Sequence, residues 1–194
     1  QRPRCWYLRN ERFYDAATPR PSLQDGEYQY HAIFDNAESA LVHASTPATA
    51  LLAYDAVVHL QNHRRERDVP LAQFLLPPQM NRDRDAAIEP NEILTHISVP
   101  AHTGAARSAY HKQTERDSYD WPICDVAVVL SLDGSRVADA RIAMGWVAPV
   151  PRRATASEQA LIGNQIDEKL AAHAAKLAVE GATPLPTNAY KVQA

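Results

Sequence analysis

Residues 125–147, DVAVVLSLDGSRVADARIAMGWV, carry two apolar runs that meet at Asp133-Gly134. An Asp-Gly pair supplies the positive backbone angles of a tight antiparallel connection, so the stretch predicts a long β-hairpin. Two helices are predicted after it. Thr155, with Glu158 three residues on, reads as a capping box ahead of Ala160-Leu161-Ile162, and Gly163 supplies a left-handed stop. The second helix sets Leu170, Ala174, Leu177 and Ala178 on one stripe and ends at Gly181.

Upstream, residues 1–26 are polar and broken by Pro19-Arg20-Pro21, which reads as irregular chain with one short ordered piece at Cys5-Trp6-Tyr7. YQYHAIF, from Tyr28, reads as a strand, and ALVHA, from Ala40, as a second short apolar run. Thr46 before Pro47 predicts an N-cap and a helix to about Asp55, with Leu51, Leu52 and Ala56 toward a core. AVVHLQ and DVPLAQF flank the polar tip NHRRER as a hairpin whose arginines solvate the turn. A Pro- and Asp-rich connection, residues 75–90, leads to the strand EILTHISVP, and the small-residue run after Pro100 marks a boundary near residues 100–108. SAYHK opens the second half as a strand. Strands precede helices without βα alternation, so the class is α+β, divided into residues 1–100 and 101–194.

Composition narrows the chemistry. With 45% hydrophobic and 22% charged residues and a net charge of −3, the chain lacks the basic footprint of a nucleic-acid binder. No apolar run reaches the length of about 18 residues that a membrane span needs. QRPRCWYLRN has no signal core, which predicts a cytoplasmic protein, or a periplasmic one if a partner carries the signal. Two cysteines make no disulfide framework: Cys5 reads as a loop residue and Cys124 as a core residue. Six glycines include no GxGxxG and no GK(S/T), and neither GxSxG nor HExxH occurs. His59 and His63 lie on strand and turn, where a four-residue spacing diverges, so no metal site is expected.

Between SAYHK and the hairpin, Lys112, Glu115, Arg116, Asp117 and Asp120 crowd into one segment with Tyr119 and Trp121. One reading is a solvated connection whose aromatics cover the core edge. The other is a polar loop facing a planar ligand, with a ring for stacking and a cation for developing negative charge.

EILTHISVP, AYHK, RDSYDWPICDVAVVL and ARIAMGWVAPVPRRATASEQALIG, in that order, resemble the FAD-binding subunit of the molybdenum hydroxylases, the xanthine dehydrogenase and aldehyde oxidoreductase family. SALVHASTPATALLAYDAVV resembles that family's HPSD helix with its following strand, and ATPLPTNAYKVQA its closing segment. The resemblance implies an antiparallel-sheet FAD subdomain followed by a C-terminal domain of a three-stranded antiparallel sheet plus helices. It implies electron transfer from 2Fe-2S clusters through FAD to NAD or another acceptor. The implied partners are a large subunit with the molybdopterin cofactor, a small 2Fe-2S subunit and the remainder of the FAD subunit. Carried over by position, Lys112 lies at the polar edge of the isoalloxazine, Asp120 and Trp121 on the loop beside the ring, and Leu94 against the cofactor. Ser45 and Thr46 stand at the serine and aspartate of HPSD, near the FAD phosphates and ribose.

The departures are specific. Thr46 replaces the aspartate and Ala44 the proline. RCWYLRN resembles the start of a 4Fe-4S insertion, but Cys5 stands alone and Ser39 occupies the place of the fourth cysteine, so no cluster is expected. The family's AGGT(D/N)L and ATxGGN loops, which cradle the FAD pyrophosphate, have no counterpart here. Two expectations follow: a portion of the FAD subunit completed by other polypeptide, or a non-catalytic assembly module that keeps the fold without flavin.

Overall fold

The protein is described from a computed structural model, which covers residues 28–36, 40–81, 84–101 and 105–194. The readings that fall on Cys5, Trp6, Tyr7, Ser39 and the entry segment lie outside the described residues. The fold is mixed helix and antiparallel sheet, as the α+β reading expects.

Helix α1 runs Thr46–Ala53 and its N-cap is Ser45, not Thr46: Ser45 Oγ accepts the Ala48 N–H at 3.3 Å. The proline therefore sits one residue deeper than expected, within the first turn where a missing N–H costs nothing. The helix stops before Asp55, whose φ of +50° cannot continue it. Thr49 and Leu52 face the core, whereas Leu51 is only half-buried.

A first sheet is ordered β2-β1-β3, with β1 Val57–Gln61, β2 Glu66–Pro70 and β3 Ile93–Ser98. The apolar stretch after β2 is not strand but a single helical turn, α2, Leu71–Phe74. The arginines of the hairpin do more than solvate it. Arg65 Nη2 reaches Glu89 at 2.5 Å, and Arg67 grips the almost fully buried Glu92 carboxylate with two bonds of 2.7 Å. That fork holds Glu92 down to about pKa 2 and staples the connection before β3 to the hairpin. His59 pairs with His96 but Leu60 pairs with Leu94, so the bulge falls at Thr95 and re-aims the residues on either side.

The second sheet is ordered β4-β5-β6-β7: β4 Ala105–Gln113, β5 Cys124–Asp133, β6 Arg136–Gly145 and a two-residue β7, Arg152–Arg153, added to the three expected strands. Gly134, with φ +59°, turns the central hairpin. Ala127, Val129 and Ala143 join α1 and the first sheet in one apolar cluster. Val137, Ala140, Ile142 and Met144 join a second cluster beneath α3 (Thr155–Leu161) and α4 (Glu168–Ala178).

Two expectations fail in this half. No side chain caps α3: Glu158 turns away from the expected capping box and accepts the Ile142 N–H at 2.7 Å and Arg153 Nε at 2.5 Å. Residues 28–36 form turns and bends rather than a strand, because their backbone partners come from separate loops. The N–H groups of Ile33 and Phe34 both donate to the Val147 carbonyl, while Thr183 donates to that of Ile33. Ile33 and Phe34 are nonetheless buried, within the second cluster. A closing 3-10 turn, Ala189–Val192, locks this segment down: Lys191 Nζ donates to the carbonyls of Tyr30 and Trp146, each at 2.9 Å.

Candidate functional site

Alternation along β4 sends Tyr110 and Lys112 to one face of the second sheet, and cross-strand pairing puts Asp125 opposite Lys112. That face carries Ala127 and Val129 and is packed by α1, so the sheet's polar end meets the first turn of the helix. Asp125 is only 1% exposed and its Oδ2 accepts the Tyr110 hydroxyl at 2.8 Å. Burial pushes the Asp125 carboxyl upward, against the opposing pull of Tyr110, Thr49 and the Lys112 charge. Burial also raises Tyr110, and the Asp125 carboxylate to which it donates raises it further.

Gly145 closes the back of this cluster. A Cβ there would lie 2.0 Å from Thr49 Oγ1 and 2.2 Å from Asp125 Oδ1, so only glycine fits. Neither of those two oxygens, both inaccessible to water, makes a well-formed hydrogen bond.

Lys112 is exposed at the mouth of the cluster, immediately before the loop that carries Asp120 and Trp121. Asp120 organises that loop by accepting the N–H groups of Arg116 at 3.0 Å and Trp121 at 2.9 Å. Tyr119, at φ +55°, projects fully into solvent. Trp121 is 69% exposed and leans on Trp146 with ring centroids 5.3 Å apart. The Trp146 indole N–H is buried without a partner. Tyr30 donates to Glu115 at 2.8 Å and braces the other side of the loop.

Of the six residues singled out in the sequence, Lys112 stands across the strand pair from Asp125, Ser45 and Thr46 begin the helix that packs on this sheet, and Asp120 and Trp121 share the adjoining loop. Leu94 belongs elsewhere, to the edge strand of the first sheet, where it is 41% exposed. Sequence reasoning passed over Tyr110, Asp125, Thr49 and Gly145. Period-two alternation from Lys112 pointed to Tyr110, but nothing local pointed to the other three.

His59 is engaged on both ring nitrogens, with Asp68 at 2.7 Å and Ser98 at 2.8 Å, and stacks on His96 at 3.9 Å, whereas His63 pairs with Arg64 at the hairpin tip. No group of three or more metal-capable side chains gathers among the described residues. A separate cavity of about 460 Å³ lies on the opposite face of the second sheet, lined mainly by Val126, Val128, Leu130, Met144 and Ala174.

The family model for the FAD binding domain in molybdopterin dehydrogenase matches residues 39–102, and that for the CO dehydrogenase flavoprotein C-terminal domain matches residues 109–193. The aldehyde oxidoreductase FAD-binding subunit of Escherichia coli (strain K12) is 30% identical over 171 residues, 83% of this chain and 51% of that protein. The carbon monoxide dehydrogenase medium chain of Hydrogenophaga pseudoflava is 30% identical over 128 residues, 66% of this chain and 42% of that protein. A solved carbon monoxide dehydrogenase from Hydrogenophaga pseudoflava superimposes with a TM-score of 0.68 at 29% identity, covering 77% of this chain and 52% of that chain. The chain therefore spans about half the length of the relatives it matches. Two flavoprotein domain matches in the family's own order, on a fold shared with a solved member, make this chain a member of the FAD-binding medium-subunit family of the molybdenum hydroxylases.

Proposed function

We propose that this chain supplies one wall of an FAD site in a molybdenum hydroxylase-type oxidoreductase, with residues 1–100 and 101–194 as two successive portions of the flavoprotein subunit. FAD would be the way station between 2Fe-2S clusters on a small subunit and NAD or another acceptor, with the molybdopterin cofactor on a large subunit. The pyrophosphate cradle is assigned to polypeptide that completes the FAD subunit. The assembly would work in the cytoplasm, or in the periplasm with an exported partner. No helix among the described residues is long and apolar enough to cross a membrane.

The observation that carries this reading is that α1 packs on the face of the second sheet where the exposed Lys112 stands across the strand pair from Asp125. Unpaired first-turn amides of a helix favour an anion. Ser45 Oγ accepts from Ala48 and keeps its own hydrogen to donate to a phosphate. FAD, when bound, supplies the capacity to take up and release electrons. Lys112 offers a positive charge where negative charge develops on reduction, Trp121 an exposed ring, and Leu94 an apolar contact. The partnerless Trp146 N–H beneath Trp121 fits a ligand acceptor brought to that loop.

Flavin absorbance of the chain, alone and purified with its companion subunits, tests this. Flavin in the complex supports the reading; a flavin-free complex refutes it in favour of an assembly module. Lys112→Ala in the complex should lower flavin content or the rate of electron transfer, and no change in either removes Lys112 from the site.

A further inference from the structure

The three strands of the first sheet bring a serine, a histidine and an aspartate into one hydrogen-bonded line on the face turned away from the core. We propose that Ser98 is a nucleophile activated by His59 and oriented through Asp68, and that this face cleaves carboxylic esters with short acyl groups. The activity is separate from the flavin reading and does not rest on it.

The register makes the placement. Val57 lies opposite Pro70 on one side and Ser98 on the other, while His59 lies opposite Asp68 and His96. Directly paired residues, and those two apart on a strand, share a face of the sheet. Val58 and Leu60 occupy the other face and enter the core. On the outer face His59 Nδ1 meets Asp68 Oδ1 at 2.7 Å straight across the pair, and Nε2 meets Ser98 Oγ at 2.8 Å on the diagonal. A carboxylate only accepts, so Asp68 keeps the imidazole hydrogen on Nδ1 and leaves Nε2 to accept the Ser98 hydroxyl.

Two further contacts fix the imidazole. His96 stacks on it with centroids 3.9 Å and planes 5° apart. Thr95, at the bulge, donates its hydroxyl to the His59 carbonyl at 3.2 Å and accepts from His96 Nδ1 at 3.0 Å, which holds the second ring in the stack. The His59 side chain is 20% exposed, whereas Ser98 is open to solvent, so the base is sheltered and the nucleophile reachable. Val57 and Pro70, in the same row as Ser98, offer a small apolar floor for the acyl chain.

In the reaction, Ser98 Oγ bonds to the ester carbonyl carbon as its hydrogen passes to His59 Nε2. The carbon–oxygen bond to the alcohol breaks, and the departing oxygen takes that hydrogen. Water then attacks the acyl-serine by the same path, releasing the carboxylic acid and restoring Ser98. Ser98 and His59 are the catalytic residues, and Asp68 is a positioning residue.

The test treats the chain with a fluorophosphonate probe and with p-nitrophenyl acetate, and locates the modified residue by peptide mass spectrometry. Ser98 should carry the phosphonyl group, fluoride having left. His59→Gln should slow that labelling about 100-fold, as expected for loss of a general base. Asp68 is 65% exposed, so Asp68→Asn should have a smaller effect, lowering kcat for the acetate about tenfold at unchanged KM. Ser98→Ala removes only an exposed hydroxyl, remains informative if His59→Gln folds poorly, and should bring turnover down to the solvent background. An unlabelled Ser98, labelling as fast in His59→Gln as in wild type, or undiminished turnover in Ser98→Ala overturns the proposal and leaves the network a structural one. Faster turnover of p-nitrophenyl octanoate than of the acetate overturns the short-acyl assignment.

Discussion

Replacing Glu158 separates two accounts of the same four residues. If Thr155 and Glu158 formed a capping box, removing either would cost roughly a cap, about 1 kcal/mol. The structure instead puts the Glu158 side chain, 6% exposed, between the Ile142 N–H at 2.7 Å and Arg153 Nε at 2.5 Å. Glu158→Ala strands a donor of β6 inside the second cluster, worth about 1–3 kcal/mol for the unsatisfied N–H. It also removes a carboxylate from Arg153. A fully buried pair would add about 3–5 kcal/mol, but Arg153 is 24% exposed and keeps Asp55 Oδ1 at 2.9 Å, so the addition should be far smaller. The expected total is about 2–4 kcal/mol. Glu158→Gln, which still accepts from Ile142, should cost about half as much, and Thr155→Ala should stay within about 0.5 kcal/mol because no capping bond is lost. Urea unfolding followed by far-UV circular dichroism measures all three. A Thr155→Ala cost near 1 kcal/mol, or a Glu158→Ala cost below it, would refute the reasoning.

Two further perturbations probe the cluster and the closing turn. Gly145→Ala places a methyl 2.0 Å from Thr49 Oγ1 and 2.2 Å from Asp125 Oδ1 and should destabilise by about 3 kcal/mol or more; a urea midpoint within error of wild type would show that the cluster is loose. Burial holds Lys191 at about 8, below the ordinary 10.5, so the unfolded chain keeps a proton that the folded chain has released between those values. The Lys191 contribution to stability therefore rises as pH climbs from about 8 to 10.5, and is lost as pH falls through 8. Stability measured at pH 7.5, 9 and 10.5 should rise more steeply with pH in wild type than in Lys191→Met; parallel curves would contradict the placement of the ammonium between two carbonyls.

The legible features were those whose physics closes within a few residues. Gly134, Gly163 and Gly181 adopt the positive φ that their places in the sequence predicted, at +59°, +81° and +77°. The hairpin follows from its apolar runs and Gly134, but its two-residue loop is Gly134-Ser135, one position on from the expected Asp-Gly pair, because Asp133 stays in the ladder opposite Arg136. Ser45 shows where local reasoning slips by one position: two adjacent hydroxyls compete for one cap, and the backbone decides between them. Lys112 was visible as the cation closing a strand, but its neighbourhood was not, because Asp125 and Gly145 reach it only through strand pairing.

The α+β class followed from turn chemistry and apolar period, which act locally and survive in the bare sequence, and the family from the order of motifs that resemble its members. The tertiary structure alone decided the rest. It sent Glu158 to Ile142 across 16 positions and Tyr110 to Asp125 across 15, and tied Asn188 to His31 across 157. It placed the bulge at Thr95, which sets Leu94 opposite Leu60 while His96 stays opposite His59. Each of these satisfies a buried polar group or a packed face with a partner that no local rule names, and a polar group removed from water must find such a partner wherever the fold supplies one.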